Sequence, residues 1–246
     1  MRRGRTDLLA LTVLLALWGC IAGMLESPLL PSPVRVFEVG LRELQNGKLP
    51  YHLGVTLLRL AASFTLSMLI GTSMGILLGQ KGSLDRFFST WLTIALNIPA
   101  LVSIILCYVW FGLNEFAAIF AVFLNKVPNV IVTLREGTRQ LNRDLMEMAQ
   151  VYRLGPYKTI RHVIWPQLFP YVMTAARTGL ALIWKIVLVV ELLGRSNGMG
   201  YQLHLYFQMF DVAGILAYSI AFIALVQCIE WMCLAPLDRA ALRWKR

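Results

Sequence analysis

Of 246 residues, 58% are hydrophobic and 15% charged, with a mean hydropathy of +0.65, whereas soluble domains carry roughly 25% charged residues. The formal net charge is +10, but the basic residues sit in short flanks beside long uncharged runs, a pattern of membrane helices that excludes a nucleic-acid binder. The composition is that of an all-α, polytopic membrane protein in a single domain, 1–246, because a bilayer core of about 30 Å demands apolar helices of about 20 residues.

Six apolar segments predict six transmembrane helices, at 8–25, 53–79, 87–112, 115–134, 168–193 and 212–235. Arg2, Arg3 and Arg5 before the first segment mimic a signal peptide, but the run continues past Trp18 to Leu25, which predicts a retained helix. After it, Leu30-Pro31-Ser32-Pro33 breaks the chain, and 34–44 reads as an amphipathic helix with Val34, Phe37 and Leu41 on its apolar face. In the second segment Gly71, Gly75 and Gly79 recur every four residues, so they share one face and permit close backbone approach. Pro99 and Pro128 remove backbone donors from the third and fourth segments and are expected to kink or open them. Cys20, Cys107, Cys228 and Cys233 lie in apolar runs and read as small buried hydrophobes, with no CxxC pair among them.

Between the fourth and fifth segments lies a polar, basic loop, 135–167. Residues 141–151 fit one short helix, Gly155-Pro156 a turn, and 157–164 a second helix before Pro166. Two short helices around a turn make a rigid knob, the form that force transmission needs.

Lys and Arg fix the orientation. With both termini in the cytoplasm, the inner loops hold Lys81, Arg86, Arg135, Arg139, Arg143, Arg153, Lys158 and Arg161 and both terminal clusters, while the outer loops hold Arg35, Arg42, Lys48 and Arg195.

Charges inside the spans need a reason, since one at mid-bilayer costs at least about 2.5–3.5 kcal/mol. Arg59, Lys126, Arg177, Lys185 and Glu191 all qualify. Arg59 lies near a segment end, where it is expected to snorkel. Lys185 lies deep in the fifth segment and has two readings, a structural ion pair with Glu191 or a cation lining an anion pathway. Gly71-Thr72-Ser73-Met74-Gly75 matches the GxSxG spacing of hydrolases, but within an apolar helix and far from His52, His162 and His204, which fall in loops or at helix ends, it reads as packing. No GxxxxGK[ST] loop and no metal-ligand spacing occurs, so this chain is expected to bind no cofactor and to be no enzyme.

The loop resembles the signature loop of ABC-importer permeases, Glu-Ala-Ala, three residues, Gly, nine residues, Ile, one residue, Leu-Pro. Glu147, Ala149, Val163 and Pro166 fall at its spacings, with Val163 in the Ile place, while Met148, Arg153 and Trp165 stand for Ala, Gly and Leu. Gly155 and Pro156, followed by Tyr157, offer a turn two residues beyond the missing glycine. Leu30-Pro31-Ser32-Pro33, Ile98-Pro99, Trp110-Phe111-Gly112, Glu115, and the series Trp184, Glu191, Gly194, Gly198, Gly200, Tyr201 resemble motifs of the nitrate/sulfonate/taurine class.

The resemblance implies a type I ABC importer permease of the bacterial inner membrane, working with a second copy of itself, two cytoplasmic ATPases that carry ATP and Mg2+, and an outer substrate-binding protein. It places Glu147, Met148, Ala149, Arg153, Gly155, Pro156, Tyr157 and Pro166 at the ATPase contact. Lys185, Glu191, Asn97 and Ser103 are the candidate pathway residues. A self-contained channel or ion-coupled carrier built on Lys185 and Glu191 is the competing reading.

Overall fold

The computed structural model describes residues 2–25 and 27–234. Arg239, Arg243, Lys245 and Arg246 of the last basic flank, and the end of the 212–235 segment, lie outside the described residues.

Every element among the described residues is helical. α1 (Arg2–Leu25) leads to α2 (Pro33–Gln45), which starts where Ser32 accepts a hydrogen bond from the Arg35 amide and Pro33 sets the first helical φ. The Trp18 indole donates to the Pro31 carbonyl at 3.1 Å and fastens α1 to this corner. α2 buries Val36 and Val39 against Ala213 and Ala217 of α11 (Val212–Ile229). Val34, Phe37 and Leu41, the apolar face read from the sequence, are exposed. Gly40 faces Ala217 on the same side, where a Cβ would lie 3.8 Å from the Ala217 Cβ.

α3 (Lys48–Gln80) and α6 (Glu115–Arg139) form the spine. Cβ atoms built on Gly71, Gly75 and Gly79 would lie 2.7 Å or closer to the side chains of Val130, Leu134 and Thr138 respectively. The glycine face therefore packs on α6, and the two helices run parallel in a constant register. α9 (Trp165–Gly194) crosses the other side of α6 in the opposite direction, where Gly137 fits beneath the Tyr171 ring.

The third apolar segment is not one straight span. α4 (Gly82–Asn97) and α5 (Ala100–Phe111) meet at 98° across Ile98-Pro99. Ile98 is extended (φ −71°, ψ 124°), as a residue preceding proline prefers. Pro128, by contrast, leaves α6 unbroken, and α6 runs five residues past the expected end at 134. Asp85 of α4 pairs with Arg135 at 3.1 Å and with Arg139, tying α4 to that end of α6.

Among the described residues, α3, α6 and the helix spanning Val212–Met232 are long and apolar enough to cross a membrane, and the bent α4–α5 pair makes a fourth if counted as one span. α1 and α9 correspond to the other two predicted segments without meeting that measure: the apolar part of α1 is Thr12–Leu25, and α9 is 30 residues long but carries Arg177, Lys185 and Glu191. Cys107 is buried as expected, whereas Cys20 and Cys228 are exposed.

Candidate functional site

Two structures stand at opposite ends of the bundle. At the end where α9 stops, the chain folds back over a buried carboxylate. Glu191 is fully buried, and both its oxygens lie 2.9 Å from the Thr56 hydroxyl. It also accepts from the Gly200 amide at 2.9 Å and from Arg59 at 2.8 Å. The Arg59 guanidinium, 3% exposed, turns its other edge to Glu115 with two bonds of 2.8 and 2.6 Å. It reaches the Asn197 carbonyl at 2.8 Å and the Asn197 side chain as well. Gly198 has φ 105° and lies so close to the Glu191 carboxylate that a Cβ there would collide with it. Its amide donates to His52 Nδ1 at 3.0 Å, and the Met199 amide to Thr56 at 2.8 Å.

This clasp corrects two expectations. Arg59 does not snorkel: α3 begins at Lys48, so Arg59 sits well inside the helix and is held by two carboxylates. Glu191 does not pair with Lys185, because its oxygens are taken by Thr56, Gly200 and Arg59. Thr56 and Asn197 escaped the sequence reading, which named His52 and Glu115 but gave neither a place beside Arg59. Their one signal is arithmetic, an arginine in one span and carboxylates at the ends of two others.

At the opposite end lies the knob. α7 (Arg143–Val151) is capped by the Asn142 side chain, which accepts from the Leu145 amide, while the Asn142 amide donates to Gln167 at the base of α9. Ala149 is 2% exposed and faces inward. Glu147, Met148, Val151, Tyr152, Arg153, Gly155, Pro156 and Tyr157 are exposed, with Tyr152 at 73%. The tip thus presents Met148, Val151, Tyr152, Tyr157 and Ile160 as an apolar patch ringed by Arg143, Arg153, Lys158 and Arg161.

The turn does not move to Gly155, which is extended at φ −61°. Arg153 itself adopts the left-handed conformation, φ 49°. The Leu154 amide bonds the Ala149 carbonyl and the Arg153 amide the Gln150 carbonyl, both at 2.9 Å, the paired bonds of a Schellman helix end whose left-handed position favours glycine. Arg153→Gly should therefore raise stability by about 1 kcal/mol, read as a higher melting temperature in detergent. Gly155→Ala should leave it unchanged, since nothing lies within 4 Å of a Cβ there. A lower melting temperature for Arg153→Gly would place the strain elsewhere.

Nor is the second short helix separate. α8 (Pro156–Thr159) runs through a π-helical turn, Ile160–Ile164, straight into α9, and Pro166 sits in the first turn of α9 rather than ending a helix.

The four candidate pathway residues are not gathered. Glu191 is sealed in the clasp, Ser103 is buried in α5, and Asn97 is exposed at the α4–α5 break with its amide on the Thr93 carbonyl. Lys185 is exposed in a cleft of about 300 Å³ between α9 and α11, with Trp184, Ile223, Val226, Gln227 and Glu230. Its Nζ lies 5.4 Å from the Trp184 ring centre, and Glu230 pairs with Arg177 at 3.5 Å.

An apolar helical bundle with a rigid polar knob at one end and a clasped loop at the other defines a multi-pass membrane transport subunit. Residues 67–234 match the family model described as "Binding-protein-dependent transport system inner membrane component". The chain belongs to that family. It is 28% identical over 240 residues to the putative aliphatic sulfonates transport permease protein SsuC of Bacillus subtilis (strain 168), covering 97% of this chain and 87% of that one. Identity to the taurine transport system permease protein TauC of Escherichia coli (strain K12) is 26% over 241 residues, covering 95% and 87%. The bicarbonate transport system permease protein CmpB of Synechococcus elongatus is 28% identical over 189 residues, covering 76% and 68%. In fold, the chain is similar to an inward-facing structure of the MetNI methionine ABC transporter, with a TM-score of 0.68 at 19% identity, covering 83% of this chain and 99% of that one. The fold is that of a type I ABC importer permease.

Proposed function

We propose that two copies of this chain form the membrane channel of an ATP-driven importer for a small anion. Two cytoplasmic ATPases, which carry ATP and Mg2+, grip the exposed knob around Glu147, Met148, Arg153, Pro156 and Tyr157. A substrate-binding protein docks at the clasp end, outside the bacterial inner membrane, and both termini lie in the cytoplasm. The knob carries this reading: it is capped, internally bonded and continuous with α9, and its apolar tip is left uncovered by the described residues. Such a surface fits a docking groove, since interface cores are apolar and aromatic. Closure of the ATPases on nucleotide would shift the membrane helices between two arrangements, provided nucleotide favours the closed one.

An anionic solute is supported by Lys185, whose ammonium is exposed in the α9–α11 cleft against Trp184, and by relatives named for aliphatic sulfonates and bicarbonate. The alternative, a self-contained carrier built on a Lys185–Glu191 pair, loses its support because Arg59 occupies Glu191.

Glu147→Ala tests the knob. Insertion should be normal, because the side chain is exposed, while uptake driven by the ATPase should fall about tenfold, equivalent to roughly 1.4 kcal/mol of lost docking. Wild-type uptake with the ATPase still bound would remove the knob from the ATPase contact.

A further inference from the structure

Halfway along α6 a lysine is buried with no neutralising group among the described residues. Lys126 is 2% exposed, and among the described residues no hydrogen bond or ion pair engages its ammonium. It lies eleven residues from Glu115 at the start of α6, about 16 Å along the helix at ~1.5 Å per residue, near the centre of a hydrocarbon core of about 30 Å. Arg59 and Glu191, also charged and buried, satisfy each other. Lys126 does not share in that economy.

Its surroundings supply more donors. The Ser63 and Ser67 hydroxyls of α3 are buried and have no partner among the described residues. The register that sets Gly71 against Val130 and Gly75 against Leu134, carried one helical turn further, sets Ser67 opposite Lys126. On the other side, a Cβ built on Gly179 of α9 would lie 2.8 Å from Lys126 Cε and 3.4 Å from its Nζ. Gly179 thus leaves room for the end of the lysine side chain against α9. Lys185 lies six residues further along α9, on the clasp side, about 9 Å away along the helix at ~1.5 Å per residue.

An ammonium and two hydroxyls at mid-bilayer, each free to donate and none bonded among the described residues, form half of an anion site. A packing role would be met better by methionine, which fills the same length without a charge, and a proton relay would need an acidic neighbour that none of these helices supplies at this level. An ionisable group so placed marks a pathway. We propose that Lys126, with Ser63 and Ser67, is a mid-membrane binding station for the transported anion, covered in this conformation by α9 at Gly179 and uncovered when α9 moves off α6. The proposal rests on the importer reading above and adds a second cation, inward of Lys185, to the path it describes.

The experiment uses the chain reconstituted with its ATPase, with Cys20, Cys107, Cys228 and Cys233 replaced by serine or alanine. Ser67→Cys is nearly isosteric and places a thiol opposite Lys126. The probes are two thiol reagents of similar size, 2-sulfonatoethyl methanethiosulfonate and its trimethylammonium counterpart. Without nucleotide neither should react. During ATP hydrolysis the anionic reagent should react about tenfold faster than the cationic one, and adding Lys126→Met should abolish that preference while leaving the complex at least as heat-stable. Silence toward both reagents while ATP is being hydrolysed would overturn the station and leave the importer reading standing. So would equal rates for the two, or labelling that ignores nucleotide. Failure of any ATPase to assemble with the chain would instead strike the importer reading itself.

Discussion

Glu191→Ala should leave almost no folded protein. Arg59 keeps Glu115 but loses its buried partner, Thr56 and the Gly200 amide lose their acceptor, and breaking a buried ion pair costs up to about 3–5 kcal/mol. The measurement is the monodisperse yield in mild detergent. Partner identity follows from two double variants. Arg59→Met with Glu191→Gln removes both charges of the real pair and should recover part of the yield. Lys185→Met with Glu191→Gln should recover no more than Glu191→Gln alone, and recovery in that arm would reinstate Lys185 as the partner.

Gly75→Leu should be nearly as damaging. A single Cβ at this position would already lie 2.7 Å from the Leu134 Cβ and 2.8 Å from the Ile131 carbonyl, and overpacking costs about 1–3 kcal/mol even for small additions. Leucine cannot be accommodated without separating α3 from α6. Ser73→Ala, two residues away, should change stability by less than about 0.5 kcal/mol, because Ser73 is exposed and bonds only the Leu69 carbonyl of its own helix. Full yield of folded Gly75→Leu would show that the α3–α6 contact is looser than described.

The glycine face was legible because spacing alone defines a helix face. Its partner was not, since nothing in 71–79 says which helix covers it. The clasp failed for a related reason: Arg59 meets Glu115 and Glu191 across 56 and 132 residues of chain, and only the folded topology brings those positions together. Starting α3 at 53 instead of Lys48 also made Arg59 look terminal. Pro99 and Pro128 show the limit of local rules. Proline removes the same donor at both, yet Pro128 is buried in α6, packed between α3 and α9, and the helix runs on unbroken, while the chain at Ile98-Pro99 is exposed and turns. At the knob the matching residues were found by spacing, but the turn was assigned to the wrong residue. Glycine is preferred in the left-handed conformation, yet two backbone bonds hold Arg153 there regardless.

The continuity of α8, the π-helical turn and α9 makes one unbroken rod from Pro156 to Gly194, roughly 58 Å long at about 1.5 Å per residue. Its far end is bolted through Glu191 to Arg59 on α3 and, by way of that guanidinium, to Glu115 on α6, and its near end carries the exposed tip of the knob. A rod fixed at one end and pushed at the other behaves as a lever with its fulcrum at the bolt. Small sideways thrusts at the tip then sweep the middle of the rod, where Gly179 lies across Lys126, through an arc that grows with distance from the clasp.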